Sequence, residues 1–382
     1  MEMIKLAADD IFDGRRFLGP DRVLILDGLG TVSAVVPRSW AGDDIRQLEG
    51  WLCPGFINTH CHLELSHMKG VIPEHTGLPV FLTTVMEQRL PPGPDVLQQA
   101  ITDAGNAMQA EGIVAVGDIC NTAATLPYKL GSPIRWHNFI ECMGFVDATA
   151  PQRLEHSATV YAQFRSQNLP ASLVPHAPYS VSPTLFRMIA AKENNTPLTI
   201  HNQECAAEDE LYRRKAGPFL EFYRHFGIHP DGFEATGKSS LQSFFPYFKD
   251  SGNLLLVHNT YTSAEDIRFA ARPGVYWCLC PNANSYIENR LPDIPALLEN
   301  GATLTLGTDS LASNHQLSIW EEIQALRRHY PAIPLSDIMQ WATINGAEAL
   351  GFADTLGSFE KGKRPGIVQV HGNKAKAYTI YE

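Results

Sequence analysis

Two histidines one residue apart, His60-Cys61-His62, close an apolar run that begins at Trp51. In an extended chain residues i and i+2 face the same way, so both imidazoles can reach one ion. Further along, Leu198–Glu204 carries His201 and Glu204, Asn253–Asn259 carries His258, and Ala302–Asp309 ends in Asp309. Imidazole nitrogens with one carboxylate oxygen suit zinc or ferrous iron, and do not suit calcium or magnesium. His60, His62, His201 and Asp309 would give protein contacts to a single divalent ion, with water as a further ligand. An ion held this way lowers the pKa of its water to roughly 7 and makes a nucleophile available at neutral pH.

Each of these residues also has a plainer reading. An isolated H-x-H is a weak signal, and a lone His at a strand end, such as His258, is commonly structural. Asp309, which follows Gly307-Thr308, could simply cap the next helix. Their conjunction changes the weight: three separate apolar runs end in His or a His pair, and a fourth ends in Asp.

These runs belong to a longer series that must place them. Eight can be counted: Trp51–His60, Ile113–Ile119, His137–Gly144, Ser172–Pro178, Leu198–Glu204, Asn253–Asn259, Val275–Pro281 and Ala302–Asp309. Helical stretches lie between them, at Asp95–Ala110, Pro151–Ser166, Pro183–Lys192, Ser263–Ala271 and Asp293–Asn300, and two more follow, at Leu317–His329 and Leu335–Leu350. Alternating β runs and helices predict an α/β fold with a parallel sheet. Eight units suit a closed (β/α)8 TIM-like barrel, whose catalytic groups sit at the C-terminal strand ends; an open doubly wound sheet is the alternative. The first fifty residues read instead as short strands and turns, including Met3–Leu6, Arg22–Leu26 and Thr31–Val36. The tail does so again, at Gly357-Ser358, Gly362-Lys363, Ile367–His371 and Ala377–Tyr381. The simplest account is that the two ends meet in one small β domain beside the barrel.

Composition narrows the function classes. The chain has 382 residues, 44% hydrophobic and 19% charged, with a formal net charge of −11. That charge speaks against a nucleic-acid or anionic-membrane partner, since either needs a basic face. No apolar run approaches the roughly 18 residues of a membrane helix. The N-terminal residues lack the basic-then-apolar order of a signal peptide. Seven irregularly spaced cysteines do not form a disulfide framework, and Cys278/Cys280 sits in an apolar run that reads as strand. A reducing cytoplasm is the expected compartment.

The segments Pro54-Gly55-Phe56-Ile57-Asn58-Thr59-His60-Cys61-His62-Leu63-Glu64, Pro175-His176-Ala177-Pro178-Tyr179-Ser180 and His201-Asn202-Gln203-Glu204 resemble the amidohydrolase superfamily. So do Leu256-Val257-His258, Cys280-Pro281-Asn282-Ala283-Asn284 and Gly307-Thr308-Asp309-Ser310-Leu311-Ala312-Ser313-Asn314, in the same order along nearly the whole chain. The likeness is to the branch of cytosine, guanine and S-adenosylhomocysteine deaminases. It implies a TIM-like barrel over 54–350 and a small β-sandwich built from 1–53 and 351–382. It implies that His60, His62, His201 and Asp309 hold the metal, most readily Zn2+ with Fe2+ as the other choice. It also implies that His258 hydrogen-bonds the attacking water or the substrate, and that Glu204 shuttles protons. Binuclear relatives carry a lysine at the end of the fourth strand, where this chain has Val174-Pro175-His176-Ala177-Pro178, so one ion is expected. His176, Glu64 and Asn282 become candidate substrate contacts; a buried structural role for His176 and a capping role for Glu64 stay open.

The implied reaction is attack of activated water on the amine-bearing carbon of an amidine-like ring, with loss of ammonia. Asp309 and His258 would take the water's proton, and Glu204 would protonate the ring nitrogen. The run His62-Leu63-Glu64-Leu65-Ser66-His67 and Ser310–Asn314 resemble aminodeoxyfutalosine deaminases most, which would make the substrate an adenine nucleoside and the product its hypoxanthine counterpart. Amide hydrolysis or dechlorination with the same ion is the enzymatic alternative. A silent barrel paralogue serving as a binding partner is the non-enzymatic one, and the resemblance further suggests a homodimer. The aromatic-rich segment Cys205–Gly252 is expected to be either a lid or subunit contact, or a local helical core.

Overall fold

The computed structural model describes residues 3–91 and 93–379. Near its start the chain lays down β1 (Met3–Ala7), β2 (Asp10–Ile11), β3 (Arg22–Asp27), β4 (Val32–Pro37), β5 (Ile45–Gln47) and β6 (Trp51–Pro54). There follow β7 (Phe56–Cys61), β8 (Ile113–Cys120), β9 (Arg135–Cys142), β10 (Ala171–Pro175), β11 (Leu198–Asn202), β12 (Leu254–His258), β13 (Val275–Leu279) and β14 (Thr303–Leu306). Near the end come β15 (Ile367–His371) and β16 (Lys374–Ala377). The fold is α/β.

Strands β7 to β14 form two parallel four-stranded sheets, β10-β9-β8-β7 and β11-β12-β13-β14, with neighbours consecutive in sequence. Parallel strands are covered on both faces, so they are apolar throughout: Leu254-Leu255-Leu256-Val257-His258 is buried at every position. Backbone hydrogen bonds join the two sheets at both seams. His201 N–H donates to His176 O at 2.9 Å, while Thr308 N–H and Asp309 N–H donate to His60 O at 3.0 and 3.1 Å. Both seams therefore lie at the C-terminal strand ends, beside the candidate ligands.

Helices connect the strands as the apolar spacing requires. Pro94–Ala110 starts with Pro in its first turn, where the missing N–H costs nothing, and buries Ile101, Ala104, Gly105 and Met108 at i, i+3, i+4 and i+7. The helices Ala150–Ser166, Pro183–Ala190, Ala264–Phe269, Ile294–Glu299 and Ile319–His329 fall where expected. Leu335–Leu350 is two helices rather than one, broken at Thr343, whose φ of −131° and ψ of −91° leave the helical region. Leu78–Gln88, Leu126–Gly131 and Pro281–Glu288 were not foreseen.

The first apolar run also divides, because Gly55 separates two strands with different partners. Its N–H donates to Pro365 O at 3.1 Å, and an added Cβ would lie 2.3 Å from Val114 Cγ1 and 2.7 Å from Pro365 O. On the near side, β6 pairs antiparallel with β15 and parallel with β2, so strands from both ends of the chain share the sheet β16-β15-β6-β2. A second sheet, β4-β3-β1-β5, packs Leu6, Leu24, Leu26 and Val32 with Leu52 and Ile367 of the first in one apolar cluster. In the tail, Gly357 (φ 83°) and Gly362 (φ 90°) make turns where short strands were expected. The last strand is Lys374–Ala377 rather than Ala377–Tyr381, and residues 380–381 of that expectation lie outside the described residues.

Candidate metal centre and active site

Strand β7 delivers His60, and the turn after it delivers His62. Strand β11 delivers His201, β12 delivers His258, and the turn after β14 delivers Asp309. Their side chains converge. His62 Nε2 lies 3.2 Å from His60 Nε2 and 3.2 Å from His201 Nε2, and Asp309 Oδ1 lies 3.5 Å from His60 Nε2 and 3.3 Å from His62 Nε2. Two overlapping triads, His60–His62–Asp309 and His60–His201–His258, each keep their ligand atoms within 4.8 Å of one another. The local backbone is tightly specified: His258 (φ 75°), Asp309 (φ 57°) and Gln203 (φ 45°) all take the left-handed region that residues with a Cβ seldom adopt.

This donor set fits a divalent cation. Burial lowers the pKa of His60, and lowers that of His62 to about 3 and of His201 to about 4, so the rings are neutral near pH 7 and their lone pairs are available. His201 Nδ1 faces His176 O at 2.7 Å; as the N–H donor there, it leaves Nε2 as an acceptor. His62 Nε2 can then share at most one proton with its two imidazole neighbours, so acceptor atoms face each other beside a carboxylate. Burial alone would raise the Asp309 carboxyl. The His60 hydrogen bond and the imidazoles of His62 and His258 that face it outweigh burial and hold Asp309 well below the usual carboxylate range.

The centre floors a cavity of about 630 Å³, and Glu204, His258, Glu64, Glu141 and His176 also line it. Glu204 Oε1 lies 3.6 Å from His258 Nε2. Burial, then the negative charges of Asp309, Glu208 and Glu288, push the Glu204 carboxyl well above the ordinary range, toward the protonated form. His176 Nδ1 meets Ser180 Oγ at 2.7 Å, and its ring packs on His201 at a centroid distance of 4.7 Å.

Glu64 divides its two carboxylate oxygens between a loop and the cavity. Its Oε2 accepts from the Asn121 and Thr122 amides and from Thr122 Oγ1, while Oε1 is buried without a hydrogen-bond partner, 3.5 Å from Arg89. Asn282 is not brought to the cavity: it sits in the first turn of Pro281–Glu288 and its N–H donates to Glu322 Oε2 at 2.9 Å. Glu141 was missed. It is buried at the end of β9, accepts from Asn121 Nδ2 at 2.9 Å, and has its Oε1 3.7 Å from His201 Nδ1 without a hydrogen-bond partner; burial raises its carboxyl to about 8. Its position late in the third apolar run was the one available signal.

Helices Leu78–Gln88 and Pro218–His225 supply the apolar side of the cavity, with Phe81, Leu82 and Val85 from the first and Phe222 and Tyr223 from the second. The aromatic segment thus splits its work. Phe222 and Phe226 line the cavity, while Phe244, Phe245 and Phe248 pack into the main core.

The solved structure of aminofutalosine deaminase from Helicobacter pylori in complex with methylthio-coformycin superposes with a TM-score of 0.81 at 24% identity, covering 97% of this chain and 93% of that one. An adenosine deaminase from Xanthomonas campestris with bound zinc gives a TM-score of 0.73 at 23% identity, covering 96% of this chain and 84% of that one. In sequence, an adenosine deaminase of Helicobacter pylori is 29% identical over 329 residues, which is 82% of this chain and 77% of the relative. Residues 51–380 match the amidohydrolase family, and the chain belongs to that family.

Proposed function

We propose that this protein is a hydrolytic deaminase of an adenine-containing nucleoside of the aminodeoxyfutalosine kind, working with one divalent ion, zinc before iron. The observation that carries the reading is the meeting of three imidazole Nε2 atoms and the Asp309 carboxylate at the floor of one cavity, with Glu204 and His258 beside them. His60, His62, His201 and Asp309 would hold the ion. Bound there, it would supply Lewis-acid chemistry, bringing a water's pKa to roughly 7. A third cluster, Glu141–His176–His201, does not argue for a second ion, because His201 Nδ1 is already engaged with His176 O. A silent paralogue would show a lost ligand, and none of the four is lost.

The side chains divide the remaining work. Asp309 and His258 orient the water and take its proton as oxygen attacks the amine-bearing ring carbon. Glu204, held toward its acid form, gives a proton to the adjacent ring nitrogen and then helps deliver one to the departing ammonia. Water and the C–NH2 group become C=O and NH3. The Oε1 atoms of Glu64 and Glu141, which have no hydrogen-bond partner within the protein, would hydrogen-bond sugar hydroxyls, and the wall of Phe81, Leu82, Val85 and Phe222 suits an apolar extension beyond the sugar. The adenosine deaminase and aminofutalosine deaminase neighbours support the same substrate class.

On this reading the two parallel sheets close as a (β/α)8 barrel over 54–350, and residues 1–53 and 351–382 form the β-sandwich beside it. The seven buried, unbridged cysteines accord with a reducing cytoplasm. The test is ammonia release from zinc- or iron-loaded protein across adenine nucleosides and other amino-heterocycles, followed with the absorbance change of adenine becoming hypoxanthine. No ammonia from any adenine nucleoside would sink the proposal.

A further inference from the structure

Behind the metal-binding turn lies a buried cation that the reaction does not use. Lys129, on helix Leu126–Gly131, is 2% exposed, and its Nζ donates to Asp118 Oδ2, to Asn138 Oδ1 at 2.7 Å and to Cys120 Sγ at 3.3 Å. The three ammonium hydrogens therefore have three acceptors, all fully buried. The rings of Trp136 and Phe164 flank the same nitrogen, each with its centroid 5.1 Å away. The other oxygen of Asp118, Oδ1, accepts from Leu63 N–H at 2.9 Å. Leu63 follows His62 directly, so the pair grips the backbone at the point where the second histidine leaves its strand.

We propose that Lys129 and Asp118 are positioning residues for the metal centre: Lys129 fixes the Asp118 carboxylate, and Asp118 fixes the peptide after His62, holding its imidazole toward His60 and His201 before any ion arrives. Three features support this over a generic core pair. A lone buried lysine is costly, and this one is fully satisfied. Asp118 divides its two oxygens between the lysine and the ligand-bearing turn. Glu64 reinforces the same stitch from the other side, through Asn121 N–H and Thr122 N–H of the loop that follows Cys120. The proposal rests on the reading that His60, His62, His201 and Asp309 hold an ion.

Two double variants test it, because removing both charges together leaves no unpaired ion in the core. Asp118→Leu/Lys129→Met deletes the acceptor for Leu63 N–H, whereas Asp118→Asn/Lys129→Met keeps a neutral one. Cobalt(II) affinity, measured by competition with a chelator, is expected to fall about 10- to 100-fold in the Leu/Met protein, with a changed d–d absorption spectrum. The Asn/Met protein should recover to within about threefold of the parent, since the hydrogen bond survives. A folded Leu/Met protein with parental affinity and spectrum would overturn the proposal. If that variant does not fold, exchange of the Leu63 amide in metal-free parent protein decides: protection of about 100-fold or more supports the preset turn, and unprotected exchange overturns it. A parent that binds no cobalt would instead overturn the metal-site reading itself.

Discussion

Asp309 shows how much one residue is asked to do. Its backbone sits at φ 57°, its Oδ1 faces His60 and His62, and its Oδ2 accepts from Ser313 Oγ. Asparagine tolerates the left-handed region and keeps the shape, so Asp309→Asn isolates the charge. Metal content after dialysis is expected to fall, with affinity weakened by about tenfold or more, and turnover should fall by about 10²- to 10⁴-fold. Glu204→Gln separates proton transfer from metal binding. One equivalent of metal should be retained while kcat drops by about 10²- to 10⁴-fold, and a fully active variant would contradict the shuttle role. The convergence of the four candidate ligands was legible because His and Asp at the ends of apolar runs have few other reasons to recur. Glu141 was not, because a single carboxylate late in a run has no spacing partner. Only the fold reveals that Asn121 satisfies one of its oxygens and that the other lies near His201 without a hydrogen-bond partner.

Elements were legible where local preference and tertiary demand agreed. Helix Pro94–Ala110 has both a Pro-initiated first turn and a clean apolar stripe. Helix Leu78–Gln88 was missed because Val80, Thr83, Thr84 and Val85 are β-branched and weak helix formers; packing of Leu78 and Phe81 into the second apolar cluster decides its conformation. The segment after β11 offers a test of its own. Glu208 is fully buried; its Oε1 accepts from Gln203 N–H at 2.9 Å and from Ser240 Oγ, and Oε2 has no partner. Burial raises this carboxyl to about 8. Between the unfolded value near 4.5 and the folded value near 8, the folded chain holds a proton that the unfolded chain has released. Stability from this group is therefore complete below pH 4.5 and declines as pH rises toward 8. Glu208→Gln keeps the acceptor at Oε1 and cannot ionise. The variant should match the parent near pH 5 and exceed it near pH 9 by about 1–4 kcal/mol in urea melts. Parallel pH profiles for the two proteins would show that the group does not titrate this way.

Across the whole molecule, both seams between the parallel sheets contribute residues to the centre, since His60 O accepts from Thr308 and Asp309 at one and His176 O accepts from His201 at the other. The alternation of runs and helices made the eight parallel strands readable, and the short strands at both ends suggested that the termini meet. Gly55 was unreadable as a strand boundary, because its constraint is contact with Val114 and Pro365, far away in sequence. The location of the centre gives it leverage on the fold. Facing imidazole nitrogens 3.2 Å apart are unfavourable wherever neither a proton nor a cation lies between them, and an ion held by these side chains would tie β7, β11 and the turn after β14 together. The unfolded chain scatters these ligands over the span from residue 60 to residue 309, so it binds the ion far more weakly. Mass action then stabilises the folded state by about 4 kcal/mol when free metal is a thousandfold above its Kd. For a chain of this size that corresponds to a rise in Tm of about 5 °C, given the usual unfolding entropy per residue. Stripping the metal with a chelator should lower the calorimetric Tm by about that amount, and readdition of zinc should restore it. In His62→Ala/His201→Ala protein the response to zinc should largely disappear. A parent Tm indifferent to both chelator and zinc would mean that these side chains do not share an ion, however close they stand.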